Sequence, residues 1–96
     1  MSPAAITRDS VVRASSNQVS STVEGEAVIL EVGAGAYYGL DPVGTRIWQL
    51  IQEPIAVGDV CQAIVEEYDV TPERCEADVL ELLRGLDEVG LLEVAG

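Results

Sequence analysis

The sequence contains no histidine, no lysine and no phenylalanine, and these absences exclude several classes of function. Without histidine the chain lacks the usual general base and the commonest metal ligand, and its carboxylates do not have the spacing of a calcium loop. The chain has five arginines but 17 aspartates and glutamates, so its net charge is −12 and its isoelectric point is near 4.1. Such a charge opposes contact with nucleic acid phosphates and anionic lipids. Composition therefore disfavours catalysis, metal binding, nucleic acid binding and membrane binding.

Long hydrophobic runs are also absent, although 48% of the 96 residues are hydrophobic. No stretch approaches the ~20 apolar residues that span a bilayer, and the N-terminus has no apolar signal-peptide centre. We therefore expect one small cytoplasmic domain with an aliphatic core, since only four residues are aromatic. Cys61 and Cys75 are expected to be reduced core residues, because cytosolic disulfides are rare and neither cysteine has a metal-site partner.

The first part of the chain differs in composition from the rest. Residues 1–18 are rich in Ser, Ala, Thr and Asn and show no period beyond Val11-Val12, which predicts a flexible N-terminal arm. The folded domain is expected to cover residues 19–96. It is predicted to begin with three antiparallel strands separated by glycine-containing turns, at residues 19–23, 27–32 and 36–40.

Three helices are predicted to follow the strands. The first begins at Asp41-Pro42 and runs to about Gln52, the second spans Val57 to Tyr68, and the third begins at Thr71-Pro72 and ends near Gly90. Residues 91–94 are expected to pack as a final extended segment, because exposed aliphatic side chains would forfeit burial; the alternative is a frayed hydrophobic tail. The order predicts an α+β, winged helix-turn-helix-like fold, in which a three-stranded antiparallel sheet is followed by three helices. A winged-helix DNA-binding regulator is disfavoured, because the third helix presents two arginines among six acidic residues.

Binding of an extended peptide is the remaining function that the predicted order of strands and helices favours. If strand 36–40 lies at the sheet edge, its backbone groups can accept a peptide as an added strand beside the third helix. Asp78 is expected to border that groove, because the helical period places it beside the apolar stripe. The alternative is that the edge is blunted and that Tyr37 and Tyr38 are ordinary packing residues.

Four short motifs follow one another in the chain: Gly-x-Tyr-x-x-Leu-Asp at residues 35–41, Gly-x-x-Ile-Trp at 44–48, Asp-Val at 59–60 and Gly-Leu-Leu at 90–92. In this order they resemble the PqqD-like family, the recognition elements for precursors of ribosomally made, modified peptides (RiPPs). The resemblance covers residues from about 19 to 94 and is greatest to the stand-alone leader-binding proteins of lasso-peptide clusters. Val57 departs from the pattern, because the family often has a Ser or Thr cap before this helix.

The resemblance implies a peptide-binding protein that is not an enzyme and has no cofactor. Such a chain would bind the leader segment of a precursor peptide and present it to a cysteine-protease-like leader peptidase and an asparagine-synthetase-like cyclase. A peptide chaperone for a radical enzyme of quinone cofactor synthesis is the alternative within the family. By position, the leader-binding residues are Ala36, Tyr37, Tyr38, Gly39, Cys75, Asp78, Val79 and Leu82.

Overall fold

A computed structural model describes residues 6–95 and contains two small antiparallel sheets and three helices. In chain order the elements are β1 (Val11–Ala14), β2 (Gln18–Val23), β3 (Glu26–Glu31), β4 (Ala36–Gly39), α1 (Pro42–Leu50), β5 (Ile55–Ala56), α2 (Val57–Glu67), α3 (Pro72–Glu88) and β6 (Leu92–Ala95). The predicted α+β order of three strands and three helices is confirmed, and the fold is consistent with a winged-helix-like architecture. Strands β1, β5 and β6 form a second sheet that the sequence did not indicate as a unit.

The first sheet has the order β2-β3-β4, so β3 is central and β2 and β4 are its edges. Val23 pairs with Glu26 across a two-residue turn in which Glu24 and Gly25 both have positive φ, at 52° and 83°. Two positive φ values in succession give the type I′ turn that suits the twist of a hairpin. In the β3–β4 loop the Glu31 carboxylate accepts backbone N–H groups of Gly33 and Ala34, which satisfies this buried acid.

The second sheet has the order β5-β1-β6 and corrects the expectation of a flexible arm for residues 6–18, while residues 1–5 lie outside the described residues. Val12 and Ala14 are buried and alternate with exposed Val11 and Arg13, so β1 turns one face to the core. Four residues are too few for this alternation to stand out in a polar segment. The strand pairs with β6 near the C-terminus, and the packed C-terminal segment agrees with the prediction for residues 91–94.

Residues 6–10 supply the cap that α2 lacks. Its N-cap residue, Ala56, makes no side-chain hydrogen bond. Instead the N–H groups of Val57 and Gly58 donate to the carbonyl oxygens of Ser10 and Arg8, at 2.9 and 3.0 Å. Two of the N–H groups that a helix start leaves unpaired are therefore satisfied by the N-terminal segment. The departure at Val57 thus leaves the helix start intact.

The other two helices begin at the predicted caps. The Asp41 carboxylate accepts the N–H of Gly44 at 2.7 Å, and the Thr71 hydroxyl accepts the N–H of Arg74 at 3.3 Å. Each helix then buries one aliphatic stripe in a core shared by both sheets. The most deeply buried large side chains are those of Ile29, Ile51, Ile64, Leu83 and Leu91. Within residues 6–95, no helix is long and apolar enough to cross a membrane.

Candidate functional site: a groove beside a free strand edge

The outer edge of β4 carries backbone groups that pair with no other strand of the described chain. The N–H of Leu40 donates to the carbonyl of Ala27 at 2.9 Å. Because hydrogen-bonded pairs alternate along antiparallel strands, Tyr38 then directs its backbone groups toward β3. Tyr37 and Gly39 direct theirs away from the sheet. This edge thus offers two N–H donors and two carbonyl acceptors in the spacing of a strand.

Thr45 of α1 holds the end of this edge in place. Its buried hydroxyl oxygen accepts the N–H of Ala27 at 2.8 Å, and the hydroxyl donates to the carbonyl of Leu40 at 3.4 Å. One side chain therefore joins β3, the end of β4 and α1. Since a free edge strand has hydrogen bonds on one side only, this tie limits its movement relative to the helices.

A groove of about 690 Å³ lies next to the edge, between the end of β4, α1 and α3. Its apolar lining comes from all three elements, and its carboxylates stand at the N-cap of α1 and on α3. The lining residues are Gly39, Leu40, Asp41, Val43, Gly44, Ile47, Asp78, Glu81 and Leu82. An extended peptide on the edge of β4 would place alternate side chains toward this groove, because strand side chains alternate between faces.

A second cavity of about 320 Å³ adjoins the first and shares Val43, Ile47 and Asp78 with it. It is deeper and mainly apolar, and its remaining lining comes from α2, the α2–α3 loop and α3: Ile64, Tyr68, Asp69, Val70, Cys75 and Val79. The two cavities are adjacent, and residues of α3 line both of them. Together they have room for large apolar side chains of a bound peptide.

The structure divides the predicted site residues into three groups. Ala36, Tyr37, Tyr38 and Gly39 all lie on β4, and Gly39 also lines the larger cavity. Asp78 and Leu82 line the larger cavity, and Asp78 also lines the smaller one. Cys75 and Val79 line only the smaller cavity, and both are buried among core residues. The assignment of all eight residues to leader binding remains a prediction.

Sequence reasoning missed the contribution of α1. Val43 and Ile47 line both cavities, but their helical spacing indicates only a core-facing stripe. Glu81 is one of the six acidic residues of the third helix, and nothing in the sequence distinguishes it from the others. The one available signal was the position of Asp41 and Gly44 directly after the edge strand, which places the start of α1 at the end of that edge.

The groove is bordered by negative charge. Of the carboxylates that form ion pairs in the described residues, that of Asp78 is the most exposed, with 61% of its side chain accessible, and it lies 3.5 Å from Arg74 Nε. Arg8, Arg13 and Arg46 are likewise paired with glutamates, and Arg84 donates to the carbonyl of Ile6. With its arginines already engaged, the described surface favours a ligand that brings positive charge of its own.

The two cysteines are poorly suited to chemistry. Both are free and buried, and Cys75 Sγ donates to the carbonyl of Cys61 at 3.4 Å. Burial raises the pKa of the Cys61 thiol to about 11, and burial also raises the pKa of the Cys75 thiol. Because the thiolate is the nucleophile, a raised pKa makes both groups unreactive near neutral pH. Across residues 6–95 there is no cluster of three metal-ligating side chains.

Comparisons with known proteins agree on one family. The family model described as coenzyme PQQ synthesis protein D matches residues 26–92. The solved structure of TbiB1 in complex with the TbiA(beta) leader peptide is 38% identical, covers 84% of this chain and 94% of its own, and has a TM-score of 0.79. No curated protein matches.

Two further structures share the fold. Lasso peptide synthetase B1 complexed with a leader peptide is 24% identical over 85% of this chain and 96% of its own, with a TM-score of 0.77. The PqqD truncation of Methylobacterium extorquens PqqCD, a stand-alone RiPP recognition element, is 26% identical over 86% and 88%, with a TM-score of 0.71.

Proposed function

We propose that this chain, which belongs to the PqqD family, binds the leader segment of a ribosomally synthesised precursor peptide. The leader adds as a strand to the free edge of β4 and places side chains in the groove along α3. The observation that carries the proposal is the outward-directed backbone of Tyr37 and Gly39 beside that groove. Backbone hydrogen bonds supply affinity and the side-chain pockets supply selection, as in other complexes formed by strand addition.

The proposed role is presentation, and the chain performs no chemistry on the peptide. Its partners are a cysteine-protease-like leader peptidase and an asparagine-synthetase-like cyclase of lasso-peptide biosynthesis. The similarity to TbiB1, 38% against 26% for the PqqD truncation, favours this role over that of a chaperone for a radical enzyme. A DNA-binding role is disfavoured because Glu73, Glu76, Asp78 and Glu81 accompany Arg74 along α3.

Calorimetry with a synthetic leader peptide from the same gene cluster tests the proposal. We expect a Kd in the nanomolar to micromolar range, on the order of −8 to −12 kcal/mol, and no binding of a scrambled peptide. The absence of heat with the authentic leader would remove the main support for leader recognition.

The edge itself is tested with proline. Gly39→Pro deletes an outward N–H without touching a β3–β4 hydrogen bond, and a side chain at Gly39 would meet no atom within 4 Å. We expect it to weaken leader binding at least tenfold. Thr22→Pro is the matched control, because the same alternation directs the Thr22 N–H outward from β2, on the opposite edge. Equal losses in both variants would argue against addition at β4.

A further inference from the structure

The outer face of the first sheet exposes an unusual share of large apolar side chains. Within residues 6–95, five large hydrophobic residues are exposed, and four of them lie on or directly beside this sheet: Val19 (63%), Val23 (56%), Val32 (53%) and Tyr37 (70%). The fifth, Val11, lies on β1 in the other sheet. Single exposed apolar residues are common, but several together on one face of a small domain indicate an interaction surface.

Strand register places these side chains together on one face. Leu30 is paired with Val19 on one side and with Tyr37 on the other, so the three form a row across the sheet. Val28 lies two residues before Leu30 on the same face. The opposite face carries Ala27 and Ile29, which are buried in the core. We call Val19, Val23, Val28, Leu30, Val32 and Tyr37 the outer apolar face.

Charge narrows the kind of partner that suits this face. Residues 17–40, which include the whole sheet, contain no arginine. Exposed Glu24 and Glu26 stand at the tip of the β2–β3 hairpin. The surface is thus apolar with acid at one end, which repels anionic lipid and complements an apolar patch flanked by basic side chains.

The position of the outer apolar face in the sheet further limits which partner could dock there. The outer apolar face ends at β4, the edge to which the leader is proposed to add, so a bound leader would extend the same face by one strand. A protein docked there contacts both the chain and the leader. Among enzymes that act on the precursor, the leader peptidase must reach the junction between leader and core while the leader is held.

We infer that the outer apolar face is the docking surface for the leader peptidase, which meets it with an apolar patch flanked by basic residues. This inference rests on the proposed leader-binding function. It gives the free face of the sheet a role separate from that of the groove. The peptidase would then recognise the leader complex in preference to free leader, because only the complex presents the extended face.

The test combines the full chain with the peptidase and precursor peptide encoded in the same cluster. A triple variant, Val19→Thr, Val23→Thr and Val32→Thr, makes the face polar and retains the β-branched side chains that suit strands. Val11→Thr is the matched control, since Val11 is exposed on the other sheet. Melting temperature, leader affinity by calorimetry, peptidase affinity and the rate of leader cleavage are measured for each variant.

We expect the triple variant to fold, to bind leader within twofold of the original chain, and to lose at least tenfold in both peptidase affinity and cleavage rate. The control should change none of these. Unchanged peptidase affinity in the triple variant, or an equal loss in the control, would overturn the inference. A dimer of the original chain that the triple variant abolishes would assign the face to a second copy instead. Failure of the original chain to bind leader would refute the proposed function. In that case, peptidase affinity measured without leader would still decide whether the peptidase docks on the outer apolar face.

Discussion

Truncation of Ile6 tests whether the N-terminal segment belongs to the folded domain. Ile6 is 2% exposed, although the composition of residues 1–18 predicts a flexible arm. Ile6→Ala removes three buried carbon atoms, each worth ~0.8 kcal/mol, and leaves a cavity that a segment near the chain end can partly close. We therefore expect the free energy of unfolding to fall by ~2–3 kcal/mol.

That loss is large for a chain of this size. At roughly 0.05–0.15 kcal/mol per residue the domain should have a stability of about 5–14 kcal/mol, and each kcal/mol shifts Tm by about 4–8 °C. Urea and thermal denaturation followed by circular dichroism would measure the change, with Val23→Ala as the control because Val23 is 56% exposed. A loss below ~0.5 kcal/mol, within the range of ordinary surface substitutions, would show that the segment contributes little to the fold.

Three further predictions concern the groove, a turn and a thiol. Asp78→Ala should weaken leader binding by ~1–1.5 kcal/mol with little change in Tm. The loss is below the usual range for a charge-assisted hydrogen bond, because the carboxylate is exposed and paired with Arg74. Asp87→Ala, on the same helix but outside the groove lining, is the control, and equal leader affinities of the two variants would remove Asp78 from the site. Glu24→Asn should raise stability by about 0.5–1 kcal/mol, because Asn tolerates the positive φ of the type I′ turn better than Glu, and denaturation showing no gain would contradict that reading of the turn. Because burial raises the pKa of the Cys61 thiol, the thiol contributes stability below its ordinary pKa of about 9, and this contribution is lost as pH rises toward 11. A Cys61→Ala variant should therefore lose less stability over that pH range. Parallel curves of unfolding free energy against pH for the two proteins would contradict the raised pKa.

The elements that the sequence predicted correctly carry strong local signals. The caps at Asp41 and Thr71 are followed by proline, which has the backbone angle of a helix start and needs no N–H partner there. The two hairpin turns are marked by glycines whose positive φ other residues adopt with difficulty. The apolar run at residues 27–32, rich in β-branched residues and bounded by those turns, then identified β3. The family motifs likewise depend on short spacings, so the resemblance could be read without contacts.

Features that depend on residues far apart in the chain were decided only by the tertiary structure. Strand β1 is stable because β6, about 80 residues later, supplies its hydrogen bonds. No local periodicity in the sequence predicts that these two strands pair. The cap on α2 comes from the backbone carbonyls of Arg8 and Ser10, which carry no side-chain signature. Val43 and Ile47 line both cavities but look like core residues in the sequence, since packing against a helix and lining a cavity require the same apolar side chains. The sequence thus determined the local elements and the family, whereas long-range packing decided how firmly the N-terminal segment is held and which apolar side chains remain accessible to a ligand.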